Sequence, residues 1–145
     1  HWLCNGFFFL ILCFELFSKG SPGKCDRPPS IENGDITEMP KKEYMSGETV
    51  HYKCQRFYLM HGNSIVHCLN GRWSETPRCL VPCTVSEDDM QRNNIRLRWS
   101  GEEKIYTMSG DVTEFTCKRG YMPASYSPSF RVQCIDGTLE YPQCI

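Results

Sequence analysis

The stretch CLNGRWSETPRC, residues 68–79, sets two cysteines around an Asn-Gly turn, a tryptophan and a proline. The chain repeats the arrangement in CIDGTLEYPQC, residues 134–144. Working outward from these two closings, Cys25, Cys54, Cys68 and Cys79 are separated by 28, 13 and 10 residues, and Cys83, Cys117, Cys134 and Cys144 by 33, 16 and 9. Two cysteine quartets with matching spacing make a tandem repeat. Only Leu80, Val81 and Pro82 lie between them, a linker stiffened by the proline ring.

A unit of this size buries too little apolar surface to be held by its core alone, so covalent staples are expected. Four cysteines allow three pairings per unit, and spacing does not choose among them. With 10 cysteines in 145 residues, the chain suits an oxidising compartment, because cytosolic reductants keep such thiols unpaired. Charge adds one exclusion. The 16 basic and 17 acidic side chains are spread along the chain, whereas a nucleic-acid binder needs a clustered basic patch.

The opening residues carry an apolar run from Phe7 to Phe17, interrupted by Glu15 and followed by small and polar residues to Gly23. A bilayer-spanning helix needs about 20 apolar residues, and a secretory signal core about 7 to 15. Residues 1–24 are therefore expected to be a signal peptide, with an unassigned apolar leader as the alternative. The fate of Cys4 and Cys13 depends on which holds.

Local patterns predict an all-β chain. Thr49 to Gln55 alternates Val50, Tyr52 and Cys54 with polar residues, and Ser64 to Cys68 and Val112 to Cys117 are rich in β-branched or aromatic residues. Asn33-Gly34, Asn70-Gly71 and Asp136-Gly137 mark turns. Ser86, with Asp89 three residues on, predicts a capped helical turn within residues 86–93.

The four-cysteine spacing, GETVHYKC before the second cysteine, NGRWSETPRC around the third and fourth, and KRGY after Cys117 resemble the complement control protein module, also called sushi or short consensus repeat. The resemblance covers residues 25–145. It implies two small disulfide-stapled modules in an elongated tandem, module 1 at residues 25–79, a linker at 80–82 and module 2 at 83–145. It also implies first-to-third and second-to-fourth disulfides: Cys25 with Cys68, Cys54 with Cys79, Cys83 with Cys134 and Cys117 with Cys144. Within the family, PPSIENGDI, NIRLRW, EFTCKRGY and DGTLEYPQC look like the last two modules of complement factor H and the factor H-related proteins. That likeness implies a secreted protein binding opsonic fragments of the third complement component, and host sialic acid or glycosaminoglycan as a weaker expectation, in competition with factor H. Such a protein works without enzymatic activity, cofactor or stable membrane insertion.

By the same resemblance, Asp35 and Gln55 match an opsonin-facing surface, and Arg98, Trp99, Ser100, Lys104, Tyr106, Arg119 and Arg131 match a glycan- or opsonin-binding face. Where the family pattern is basic this chain has Glu102, Met108, Met122 and Tyr126, and residues 83–145 hold seven basic against nine acidic side chains. Polyanion binding should then be weak, since it requires a cationic face, while a compact sialic-acid site around Arg98, Trp99 and Arg131 could persist. The rival reading is a non-functional or incomplete fragment whose modules fold but whose ligand faces have drifted. Trp73 is expected in the module core, and Leu139 takes the comparable place in the second repeat. Trp99 is open to two readings, a ligand platform beside Arg98 or a cap on the core.

No catalytic motif is present: neither GxSxG nor HExxH occurs. His51, His61 and His67 lie near Cys54 and Cys68, but both cysteines are claimed by the disulfide pattern and the spacing fits no zinc finger.

Overall fold

The computed structural model describes residues 23–99 and 106–145. The apolar leader up to residue 22 with Cys4 and Cys13, and Ser100, Glu102 and Lys104, lie outside the described residues. Among the described residues the fold is all-β apart from one short helix, and four disulfides staple it, Cys25–Cys68, Cys54–Cys79, Cys83–Cys134 and Cys117–Cys144. No helix among the described residues is long and apolar enough to cross a membrane.

By contact the chain divides into two compact units, one comprising residues up to Lys53 with Gly62–Pro77, the other Cys54–His61 with Arg78–Ile145. The first unit is built on a four-stranded antiparallel sheet in the order β1 (Gly34–Ile36), β2 (Thr49–Cys54), β4 (Ile65–Leu69), β5 (Arg72–Trp73). Alternation in β2 sends Val50 and Tyr52 inward, β4 does the same with Val66 and Cys68, and the register sets Val50 opposite Val66. Asn70 and Gly71, at φ 50° and 81°, form the two-residue turn joining β4 to β5. Both residues sit in the left-handed region that a primed hairpin turn requires. The incoming chain is tied down by the Cys25–Cys68 disulfide and by a bridge in which Cys25 and Tyr44 exchange backbone hydrogen bonds of 2.8 and 2.9 Å.

Trp73 is half-buried rather than fully enclosed. Its ring packs edge-on against Tyr44 at 5.0 Å between centroids, and Nε1–H donates to the Asp26 carbonyl at 2.9 Å. A short β5 at the margin of the sheet leaves one side of the indole uncovered, and the buried positions are filled by Tyr44, Val50, Tyr52 and Val66.

The second unit contains a ribbon of β3 (Leu59–His61) with β6 (Arg78–Leu80), a ribbon of β7 (Cys83–Thr84) with β9 (Tyr106–Thr107), and a three-stranded antiparallel sheet. In that sheet β10 (Val112–Cys117) lies between β8 (Ile95–Leu97) and β11 (Arg131–Gln133). Its inner face packs a core of Val85, Met90, Ile95, Phe115, Val132 and Cys144, with Leu139 partly buried against it. Helix α1 (Glu87–Arg92) supplies Met90 and is capped by Ser86, whose Oγ accepts from the Asp89 amide at 3.3 Å. Tyr141 Oη then accepts from the Ser86 amide at 3.0 Å, tying the helix start to the chain end. Asp136 and Gly137 form a second left-handed pair at φ 45° and 86°, next to β11.

Candidate functional site

The three-stranded sheet has an inner and an outer face, and the outer one gathers the charged residues. Phe115, Leu97 and Ile95 point inward, so the intervening Glu114, Thr116 and Arg96 point out. The register sets Glu114 directly opposite Arg131, and the Arg98 amide donates to the Glu114 carbonyl at 3.0 Å. Arg98, Glu114 and Arg131 therefore lie in one row across the sheet, with Arg96 in the next row beside Thr116.

Side chains close this row around the carboxylate. Arg131 Nη1 donates to Glu114 Oε1 at 2.8 Å, Trp99 Nε1 donates to Oε2 at 3.2 Å, and Arg98 Nη1 stands 3.8 Å from Oε2. The Arg98 guanidinium also lies 5.1 Å from the Trp99 ring centroid. Trp99 is 56% exposed, so it does not cap the core; it stands on the surface as a flat apolar plate beside Arg98. The Glu114 side chain is the least exposed of the charged members, at 23% against 59% for Arg98 and 67% for Arg131.

A groove of about 450 Å³ borders the row on the β11 side, with Pro128, Val132 and Ile135 as apolar lining and Ser129, Gln133 and Thr138 as polar lining. Arg131 belongs to both the row and the groove. A cation and polar groups in an open groove, with an exposed aromatic and a second cation in the row beside it, suit an anionic, polyhydroxylated ligand better than a buried apolar one.

The remaining residues singled out from sequence do not join this cluster by any contact among the described residues. Tyr106 lies on β9 and stacks with Phe57, also in the second unit, at 5.8 Å and 12° between planes. Arg119 is exposed in the turn after β10. Asp35 is exposed on β1, where its Oδ1 accepts from the Ile36 amide at 2.8 Å, and it borders a groove of about 240 Å³ lined by Arg27, Pro28, Pro29, Ile36, Pro40 and Tyr52. Gln55, exposed, falls in the other compact unit and caps a tight turn through its carbonyl, which accepts from the Tyr58 amide at 3.0 Å.

Sequence reasoning missed Glu114 and Arg96. A signal existed for Glu114: VTEFTC alternates so that a lone carboxylate falls on the outer face of the strand. Its arginine partners become visible only once the strand register is known.

Two carboxylates outside the row have lowered pKa values. Glu38 is held at about 2, first by the hydrogen bond from the His51 side chain at 3.0 Å and then by the His51 amide at 3.1 Å. Asp136 is lowered chiefly by the Val81 amide, which donates to it at 2.9 Å, with Arg78 at 3.1 Å adding to the effect. Among the described residues no group of three or more His, Cys, Asp or Glu could hold a metal ion.

The sushi repeat (SCR repeat) family model matches residues 25–79. The chain is 47% identical over 124 residues to human complement factor H-related protein 2, 47% identical over 127 residues to mouse complement factor H, and 40% identical over 122 residues to human coagulation factor XIII B chain. These matches span 86%, 88% and 83% of this chain, but 46%, 10% and 18% of the respective relatives. The chain thus spans less than half the length of each.

Proposed function

From a chain that carries a sushi repeat and is similar over most of its length to complement factor H and factor H-related proteins, we propose a secreted, non-catalytic recognition protein of two sushi modules, residues 25–79 and 83–145. It binds opsonic fragments of the third complement component through Asp35 and through Gln55. It engages host sialic acid through Arg98, Trp99 and Arg131, with glycosaminoglycan a weaker ligand. The observation that supports the glycan half is the row on the outer face of the β8–β10–β11 sheet, where Arg98 and Arg131 meet on Glu114, an exposed indole stands beside Arg98, and Arg131 lines the adjoining groove. The opsonin half rests on similarity, because Asp35 is an exposed carboxylate with no built pocket of its own beyond the small proline-rich groove.

A protein with both capacities competes with factor H for opsonised host surfaces and so raises complement activity there. The test is lysis of erythrocytes in serum, where surface-bound factor H protects the cells. Excess protein should increase lysis in a dose-dependent way, and lysis that stays at the control level at saturating protein contradicts the proposal.

A second reading is a non-functional relative whose modules fold but whose ligand faces have drifted, favoured by the seven basic against nine acidic side chains of residues 83–145. On that reading the guanidinium row has no glycan to bind. Sialyllactose binding separates the two, since only the first reading requires it.

A further inference from the structure

We infer that Glu114 acts as a built-in counter-ion that restricts the Arg98–Glu114–Arg131 row, on the outer face of the β8–β10–β11 sheet, to a single anionic group of a ligand. The identity of the natural ligand rests on the glycan reading above; the electrostatic restriction does not. Both oxygens of the carboxylate are engaged, Oε1 by Arg131 at 2.8 Å and Oε2 by Trp99 Nε1 at 3.2 Å, with Arg98 a further 3.8 Å contact. The row of Arg98, Glu114 and Arg131 therefore carries one net positive charge rather than two.

Its depth matters as much as its charge. Glu114 sits beneath two outward-facing guanidiniums, so an acid that reaches those cations from solvent also comes within a few ångströms of the carboxylate. Repulsion at that range offsets much of the attraction of one cation. A single carboxylate or sulfate still meets a net positive row, a donor-rich guanidinium pair and the exposed plate of Trp99. A densely sulfated chain gains little more, because its affinity grows with each phosphate- or sulfate-like charge neutralised and released as counterion, and the row offers one. The indole N–H, already donated to Glu114, is unavailable to the ligand, which leaves Trp99 to contribute its apolar face alone.

The substitution Glu114→Gln tests this directly. A glutamine keeps the length of the side chain and an acceptor for the Trp99 N–H, but removes the charge. Inorganic sulfate is the probe, titrated into the full oxidised chain while the Trp99 Nε1–H and arginine Nε–H resonances are followed by NMR. The expected result is about tenfold tighter sulfate binding in Glu114→Gln, the size expected for removing one like charge at this distance in a partly solvated site. The double variant Glu114→Gln, Arg131→Gln should lose that gain. Equal or weaker sulfate binding by Glu114→Gln, with the Trp99 resonance in its native position, overturns the inference. Sialyllactose titrated into the unsubstituted protein reports on the glycan reading separately: no binding there, with the sulfate gain intact, sinks that reading and leaves the counter-ion standing.

Discussion

Removing the Cys83–Cys134 disulfide should unfold the second unit selectively, and the size of the effect can be worked out. The bond closes a sequence separation of 51 residues. In the chain-entropy model that closure destabilises the unfolded ensemble by about 4 kcal/mol. Both cysteines are buried, at 1% and 0% exposure, so Cys83→Ala with Cys134→Ala also leaves apolar space unfilled and adds a cavity cost of roughly 1 kcal/mol. A unit this small has few kilocalories in reserve, so most of its stability should disappear. The assay is peptide-resolved hydrogen–deuterium exchange. The amides of Phe115, bonded to the Phe130 carbonyl, and Cys134, bonded to the Asp111 carbonyl, report opening of the three-stranded sheet. Their exchange should accelerate by about a thousandfold or more, since each 1.4 kcal/mol is a factor of ten. Tyr52, whose amide bonds the Ser64 carbonyl in the first unit, serves as the control and should change far less. Acceleration below tenfold at Phe115 would show that packing around Ile95 and Phe115 holds this unit unaided, and the staple argument would fail.

Three further outcomes follow from local geometry. Ser86→Ala removes the side-chain acceptor for the Asp89 amide and should lower the stability of the second unit by about 1 kcal/mol in urea titration. Gly137→Ala places a methyl group 3.1 Å from Val81 Cγ1 at φ +86°, and the combined strain should destabilise by roughly 1–2 kcal/mol, seen as a lower thermal midpoint. Glu38 has a folded pKa lowered to about 2 from 4.5, so its stabilisation is fully present above pH 4.5 and is lost as pH falls toward 2. Because the pair is well exposed, that stabilisation should stay within about 1 kcal/mol. His51→Ala removes the larger cause but keeps the backbone amide of residue 51, so the Glu38 carboxyl should move part of the way back toward the ordinary carboxylate range, read from its 13C shift against pH.

Much of the frame was legible in the sequence, for physical reasons that differ by element. Thr49–Cys54 and Val112–Cys117 showed themselves because a strand buried on one face must alternate, and both are strands with that alternation. Asn70-Gly71 and Asp136-Gly137 did so because few residues tolerate positive φ, and both pairs adopt it. Ser86 announced the helix because its oxygen replaces a missing backbone acceptor. The disulfide pairs were open to three connectivities from spacing, and only the family resemblance pointed to the set the structure contains. Trp73 illustrates the limit of composition: residue type argues for burial, but its place on a two-residue marginal strand leaves it half-exposed. The site was harder still. Arg98, Trp99 and Arg131 carry no short motif in common, since Arg131 lies 32 residues beyond Trp99, and they meet through antiparallel register. Glu114 is their hub only through that register, which pairs it with Arg131 and sets it beside Arg98.

The proposed recognition of opsonised surfaces can be tested by surface-plasmon binding of the full oxidised chain to the thioester-domain fragment of the third complement component, with an Asp35→Lys, Gln55→Ala variant run alongside. Saturable binding by the unsubstituted chain and its loss in the variant are expected, with both proteins giving the same circular dichroism spectrum. Absence of binding by a folded, fully oxidised sample, or equal binding by the variant, would contradict it.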